Sequence, residues 1–210
     1  MGSMKVLVAC EESQEVCKAF RKLGHEAFSC DILPCSGGHP EWHIQGDVLE
    51  QLDTGWDLMI AHPPCTYLSH AGCRWLYPKG NMNIERFNKG LEAREFFMKL
   101  LSADIPKVVV ENPFPSPVYK MPDSSQTIQP FQFGHGLSKK TLLWIKGLPE
   151  LKPTKIVECE YYFDRNGIRH SKLNGWSAKR KSKTFRGIAK AMAEQWGGFR
   201  LSLNNSRNEI

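Results

Sequence analysis

The chain has 210 residues, of which 41% are hydrophobic and 24% charged, with a formal net charge of +6. Such a length buries a full core, and seven cysteines is an odd number, so no disulfide framework is required and at least one thiol stays unpaired in a monomer. No apolar run approaches the ~18 residues of a membrane span and no charged-then-apolar leader opens the chain; the composition predicts a soluble protein of a reducing, cytoplasmic compartment, with no membrane partner.

The first predicted element is a strand over Met4–Cys10, followed by a helix over Ser13–Leu23 with Gly24 suited to its C-terminal cap, then a strand over Ala27–Cys30. Glycines and prolines from Pro34 to Pro40 mark a loop, and Trp56–Ala61 reads as a buried strand. Phe87, Leu91, Phe96, Phe97, Leu100 and Leu101 recur at helical spacing over Ile84–Leu101, and a strand follows at Lys107–Val110. Strands alternating with helices predict an α/β fold, a mostly parallel sheet with helices on both faces and ligands at the carboxyl ends of its strands.

Thr141–Ile145 reads as a further strand, antiparallel or at an edge, which completes the sheet. Leu151–Lys183 has little periodicity beyond Ile156–Phe163, and an amphipathic helix over Phe185–Trp196 places Ile188, Met192 and Trp196 on one side. Residues 4–203 are expected to form a single domain, with 148–184 a short basic segment, Met1-Gly2-Ser3 a cloning remnant and 204–210 a frayed tail.

Two short motifs fall at predicted strand ends: His62-Pro63-Pro64-Cys65 and Glu111-Asn112-Pro113. A thiolate that adds to C6 of a pyrimidine needs a nearby acid to relieve charge at N3, and strands ending on one sheet edge could supply both. Cys65 is thus the candidate nucleophile, its thiolate fraction raised by a helix N-terminus or by cations, and Glu111 the candidate acid. An acidic residue ending the second strand commonly binds ribose hydroxyls, which assigns Asp31 to a cofactor with Ile32 packed on its adenine. Arg165 to Arg186 holds eight Lys/Arg and no Asp or Glu, with Tyr161, Tyr162 and Trp176 nearby, a mixture suited to phosphates and stacked bases. Cys30, Cys35, His39 and His43 have a spacing that invites zinc, but Cys30 belongs to the second strand beside Asp31, and no metal is assigned.

In order and content these motifs resemble the cytosine carbon-5 DNA methyltransferases, of the small type carried by phages and prophages. The resemblance runs from Lys5 to about Gly197 through Ala9-Cys10-Glu11-Glu12-Ser13, Asp31-Ile32, Gly46-Asp47-Val48, Pro63-Pro64-Cys65, Glu111-Asn112-Pro113 and the helix around Gly187-Ile188-Ala189. It implies a Rossmann-like methyltransferase fold and S-adenosyl-L-methionine as cofactor, held by Cys10, Glu11, Ser13, Asp31, Ile32, Asp47 and Pro63. Catalysis falls to Cys65 and Glu111, and substrate contacts to Pro64, Asn112, Lys139, Lys140, Arg180, Lys181 and Lys183. It also implies that Thr66–Tyr77 is a mobile loop closing over an extruded base.

Two departures bear on that implication. The first loop lacks the family's glycines, and only about 35 residues stand where a target-recognition domain is usual, too few for an autonomous domain. The expected substrate is therefore cytosine in DNA, single-stranded, loosely specific, or a duplex read with a second subunit. A free deoxycytidine nucleotide, or a non-catalytic protein that keeps the fold and binds nucleic acid or a partner, stays open.

Overall fold

The computed structural model of the chain describes residues 2–198; the tail expected at 204–210 lies outside the described residues. Strand β1 (Lys5–Ala9) sends Val6 and Val8 to one face and Leu7 and Ala9 to the other, all four fully buried. A strand buried on both faces needs this continuous apolar run rather than alternation. Helix α1 (Glu15–Lys22) starts two residues later than its pattern predicts, because Gln14 adopts a left-handed backbone (φ 58°) at the cap position. Gly24, at φ 82°, turns the chain into β2 (Glu26–Asp31).

Strand β3 (His43–Gln45) is only three residues long, too short for a period-2 signal, and the sequence does not announce it. Strand β4 (Leu58–Ala61), helix α2 (Ile84–Leu101), strand β5 (Lys107–Asn112), strand β6 (Gln126–Ile128) and strand β7 (Thr141–Lys146) follow. The sheet order is β3-β2-β1-β4-β5-β7-β6, parallel through β5, with β7 antiparallel to β5 and β6 antiparallel to β7. This is the Rossmann-like, mostly parallel sheet that the sequence predicts, with Thr141–Lys146 antiparallel and the unannounced β6 at the edge.

The core divides by sheet face. Val6, Val8, Ile60, Val109 and Leu143 pack against α1 and against the helix over Arg186–Trp196, whereas Leu7, Met59, Val108 and Val110 pack under α2 with Phe97 and Leu100. Helix α3 covers Ala178–Ser182 and α4 covers Arg186–Trp196. Trp196 is fully buried and its indole N–H donates to the carbonyl of Pro149 at 3.0 Å. Burying a side chain of this kind contributes about 1.5–3 kcal/mol, which anchors the chain's last described helix to the sheet.

The stretch without clear periodicity holds a two-stranded hairpin, β8 (Tyr161–Phe163) paired with β9 (Arg169–Ser171), standing apart from the main sheet. All three residues of β8 are exposed. Among the described residues no helix is long and apolar enough to cross a membrane.

Candidate active site

The strand order reverses between β1 and β4, which lie side by side at the centre of the sheet. Ligands of doubly wound sheets gather at such a point, and here the carboxyl ends of four strands open onto a cavity of about 760 Å³. Cys10 after β1, Asp31 and Ile32 after β2, Asp47 and Val48 after β3, and His62 and Pro64 after β4 line it, with Phe96 of α2 opposite. Ile32 is 74% exposed, an apolar side chain held at the rim with nothing from the protein to cover it. Asp31 Oδ1 accepts from the Leu33 N–H at 2.9 Å and Asp47 Oδ1 from the Leu49 N–H at 2.9 Å, so each carboxylate is fixed by its own turn.

The first loop achieves without glycine the conformation that glycine usually supplies. Cys10 and Gln14 both have φ of 58°, a region that costs a non-glycine residue roughly 1–2 kcal/mol. Buried Glu11 holds the loop by accepting from the N–H groups of Val16 (2.8 Å) and Cys17 (3.2 Å), the first turn of α1. Its carboxyl is pushed up by burial, against the opposing effects of His62 and of those two N–H groups. Burial, together with Asp31, Cys30 and Asp47, pushes the Cys10 thiol up to about 12. Glu11 and Ser13 do not line the cavity of Asp31 and Asp47; they line an adjoining one of about 660 Å³, with Cys10, Asp31, His62, Lys179 and Lys183.

Cys65 follows the buried Pro63 and the exposed Pro64, and of the two prolines Pro64 borders the cavity. Glu111 lies near the end of β5, on the α4 face of the sheet. Its side chain is 20% exposed, and its Oε2 lies 3.3 Å from Nδ1 of His62. Because β7 runs antiparallel to β5, its first residues return to the same edge, and Lys139 arrives just before Thr141 beside Glu111. Glu111 and Lys139 both act on Cys65, and Lys139 also acts on Glu111. Burial and the Glu111 charge raise the Cys65 thiol against a lowering by Lys139, whereas Glu111, despite its burial, is held below the usual carboxylate range by His62 and Lys139. Burial and the Glu111 charge thus work against the raised thiolate fraction expected of Cys65, and Lys139 works for it.

Above Glu111 the free space is about 20 Å³, room for roughly one water, because Ser182, Lys183, Thr184 and Phe185 cross over it between α3 and α4. Lys139 ties this crossing to the sheet by donating to the carbonyl of Lys181 at 2.8 Å. Of the expected substrate contacts, Lys139 and Lys183 line the slot with Glu111. Lys140 is exposed, Lys181 contributes its carbonyl to Lys139, and Arg180 stacks on Trp176 at 3.7 Å. Asn112 is turned by strand alternation to the α2 face, 1% exposed, and neither its Oδ1 nor its Nδ2 finds a partner among the described residues.

The expected mobile loop is folded here: His70–Trp75 forms a 3₁₀ turn between fully buried Leu68 and nearly buried Leu76. Ser116 donates from its backbone to Leu68 and His70 to Phe114. Trp75 and Tyr77 remain exposed, with Arg74 over the Trp75 ring at 5.0 Å. The residues of the zinc-like spacing have separate partners. Cys30 Sγ faces the Gly46 carbonyl, Cys35 faces Gln14, His39 stacks on Trp42, and His43 bonds Ser29 and the Leu33 carbonyl. Among the described residues no group of three or more His, Cys, Asp or Glu could hold a metal ion.

His62 is the residue that sequence reasoning passes over. It borders both cavities and the slot, and its Nε2 is buried without a partner among the described residues. The available signal was its place on β4: two residues beyond Ile60, it faces the same side of the sheet as Val109 and Glu111.

No family model matches the sequence and no curated protein matches it. Among solved structures, a similar chain comes from an E. coli prophage and has been ascribed a role as a DNA modification methyltransferase. The identity is 13% and the TM-score 0.46, over 74% of this chain and 52% of that one, so the present chain spans about half the length of that protein.

Proposed function

We propose that the protein methylates carbon 5 of cytosine in DNA, with S-adenosyl-L-methionine as donor, Cys65 as nucleophile and Glu111 as its proton partner. The observation that carries this reading is the arrival of Cys65 after β4, Glu111 near the end of β5 and Lys139 before β7 at one edge of the sheet, next to the cavity bordered by Asp31, Ile32 and Asp47.

The cavity fits an adenosyl group. In this reading Asp31 meets the ribose hydroxyls, Asp47 the adenine amine, and Ile32, Val48 and Phe96 the ring faces, all of them residues that line the cavity. Occupation of the α1 N-terminus by the Glu11 carboxylate disfavours a pyrophosphate in the position where dinucleotides bind, which favours an adenosyl cofactor without phosphates. When bound, that cofactor supplies an electrophilic methyl group on a sulfonium.

The chain's own groups handle the protons. Cys65 Sγ bonds to C6 while its proton passes to the ionised Glu111, which then donates toward N3 as electron density moves there from the C5–C6 double bond. After C5 is methylated, its original hydrogen leaves as a proton to water, the Sγ–C6 bond breaks as the C5–C6 double bond re-forms, and the N3 proton returns through Glu111 to the departing sulfur, which restores the ring and the Cys65 thiol. Lys139 stabilises both the departing thiol proton's carboxylate acceptor and the emerging thiolate. The crossing at Ser182–Phe185 must shift to admit a base. The exposed Tyr161, Tyr162 and Phe163 and the cations of α3 supply stacking and phosphate contacts for a strand not read base by base.

The test is a trapping experiment. An oligonucleotide carrying 5-fluorocytosine should form a covalent complex in the presence of the cofactor, and the complex should vanish in Cys65→Ser. A complex that persists in the serine variant would overturn the reading. Methyl transfer to free deoxycytidine nucleotide but not to oligonucleotide would move the same chemistry to the smaller substrate.

A further inference from the structure

His62 belongs to neither catalytic motif role assigned so far, yet it stands where the site's compartments meet. Its backbone N–H donates to the Ala9 carbonyl at 2.9 Å, which fixes it beside β1 as β4 ends. Its side chain is 10% exposed; Nδ1 lies 3.3 Å from Glu111 Oε2, and Nε2 is enclosed with no partner among the described residues. The ionised carboxylate can only accept, so Nδ1 carries the proton of this contact.

We propose that His62 is a positioning residue for Glu111, turning its carboxylate toward Cys65 through the Nδ1–H hydrogen bond and keeping it able to receive the thiol proton. This rests on the reading of Cys65 and Glu111 given above. Within that reading the proton taken from Cys65 Sγ has one destination, Glu111 Oε, and leaves it for N3, so no outside base is consumed.

The charged and titratable groups around this contact are Glu11 from the first loop, Cys65 beyond β4, Lys139 before β7, Lys183 before α4 and Asp31 after β2. Lys139 also favours ionised Glu111, so removal of His62 weakens rather than abolishes that preference. A purely packing histidine would leave the ionisation of Glu111 unchanged when replaced by another side chain of similar volume.

The experiment is a carbon-13 titration of the Glu111 carboxyl in the full chain, its signal identified by loss in Glu111→Gln, alongside the rate of adduct formation with 5-fluorocytosine DNA. In His62→Ala the Glu111 midpoint should rise, adduct formation at pH 6 should fall at least tenfold, and the acidic limb of the pH–rate profile should move to higher pH. His62→Asn, whose amide N–H reaches the Nδ1 position, should recover much of both. His62→Leu fills the space without a nitrogen and replaces alanine if the smaller side chain unfolds the chain. An unchanged Glu111 midpoint in both His62→Ala and His62→Leu, or His62→Asn behaving like alanine in both readouts, would overturn the proposal. A shifted midpoint with no adduct even in the wild type supports the hold on Glu111 and overturns the cytosine reading instead.

Discussion

Glu11 reaches forward along its own loop to Val16, whose backbone N–H it receives at 2.8 Å, and so caps α1 from outside the usual cap position. Removing that acceptor leaves N–H groups of the first turn unpaired in a buried place. Glu11→Ala should cost about 1–2 kcal/mol, a fall of roughly 2–8 °C in melting temperature for a chain of this size. Glu11→Gln should behave differently, since its oxygen still accepts while the charge is gone. Because burial raises the Glu11 carboxyl, the native state holds its proton more tightly than the unfolded chain. That stabilisation is present below the unfolded value of 4.5 and is lost as pH rises through the folded value, so the glutamine variant should gain on wild type as pH rises. Paired melting curves at pH 5 and pH 8 check both statements.

The Cys65 thiol is raised by burial and by Glu111 and lowered by Lys139. Alkylation of Cys65, followed by peptide mass spectrometry, should therefore increase with pH through a midpoint above the ordinary 9.0. Glu111→Gln should move that midpoint down and Lys139→Ala should move it up. Shifts in the same direction for both variants would show that accessibility rather than charge governs the thiol.

Asp31 offers a fixed carboxylate at the mouth of the main cavity. Loss of a hydrogen bond to a charged group is worth about 1.5–3 kcal/mol, so Asp31→Ala should weaken S-adenosylhomocysteine binding by about ten- to a hundredfold by calorimetry. Lys140→Ala, outside the cavity, should leave that affinity within a factor of about two.

Gly90 of α2 is buried beneath Tyr119, and a Cβ there would overlap the phenol ring. Gly90→Ala should destabilise the protein by about 1–3 kcal/mol despite alanine's better helix propensity. The double variant Gly90→Ala, Tyr119→Leu should recover part of the loss, and chemical denaturation of the three variants measures it.

The long elements were readable because their signals are long. The helix over Ile84–Leu101 and the strands around Val6–Val8 and Val108–Val110 carry enough apolar residues to fix both type and approximate bounds. His43–Gln45 and Gln126–Ile128 owe their extended form to the neighbours they pair with, Ser29–Asp31 and Thr141–Leu143, which no local pattern encodes. In the site, Cys65 and Glu111 were legible as motif residues, and the nearness of Lys139 depended on the direction of β7. The upward push on the thiol was not legible, since it comes from burial and from a carboxylate 46 positions away in sequence. His62 was hidden by the prolines after it, which draw attention to the cysteine they precede.

The left-handed backbones of Cys10 and Gln14 have a consequence for how the cavity selects what it holds. A glycine loop is supple and can mould itself around an arriving ligand, losing entropy as it does so. Here the curvature is already set when the chain folds, and side chains with a Cβ cannot relax through the conformations open to glycine. The mouth of the cavity thus resembles a cast rather than a clasp: it should discriminate by shape, bind quickly what fits, and tolerate few analogues.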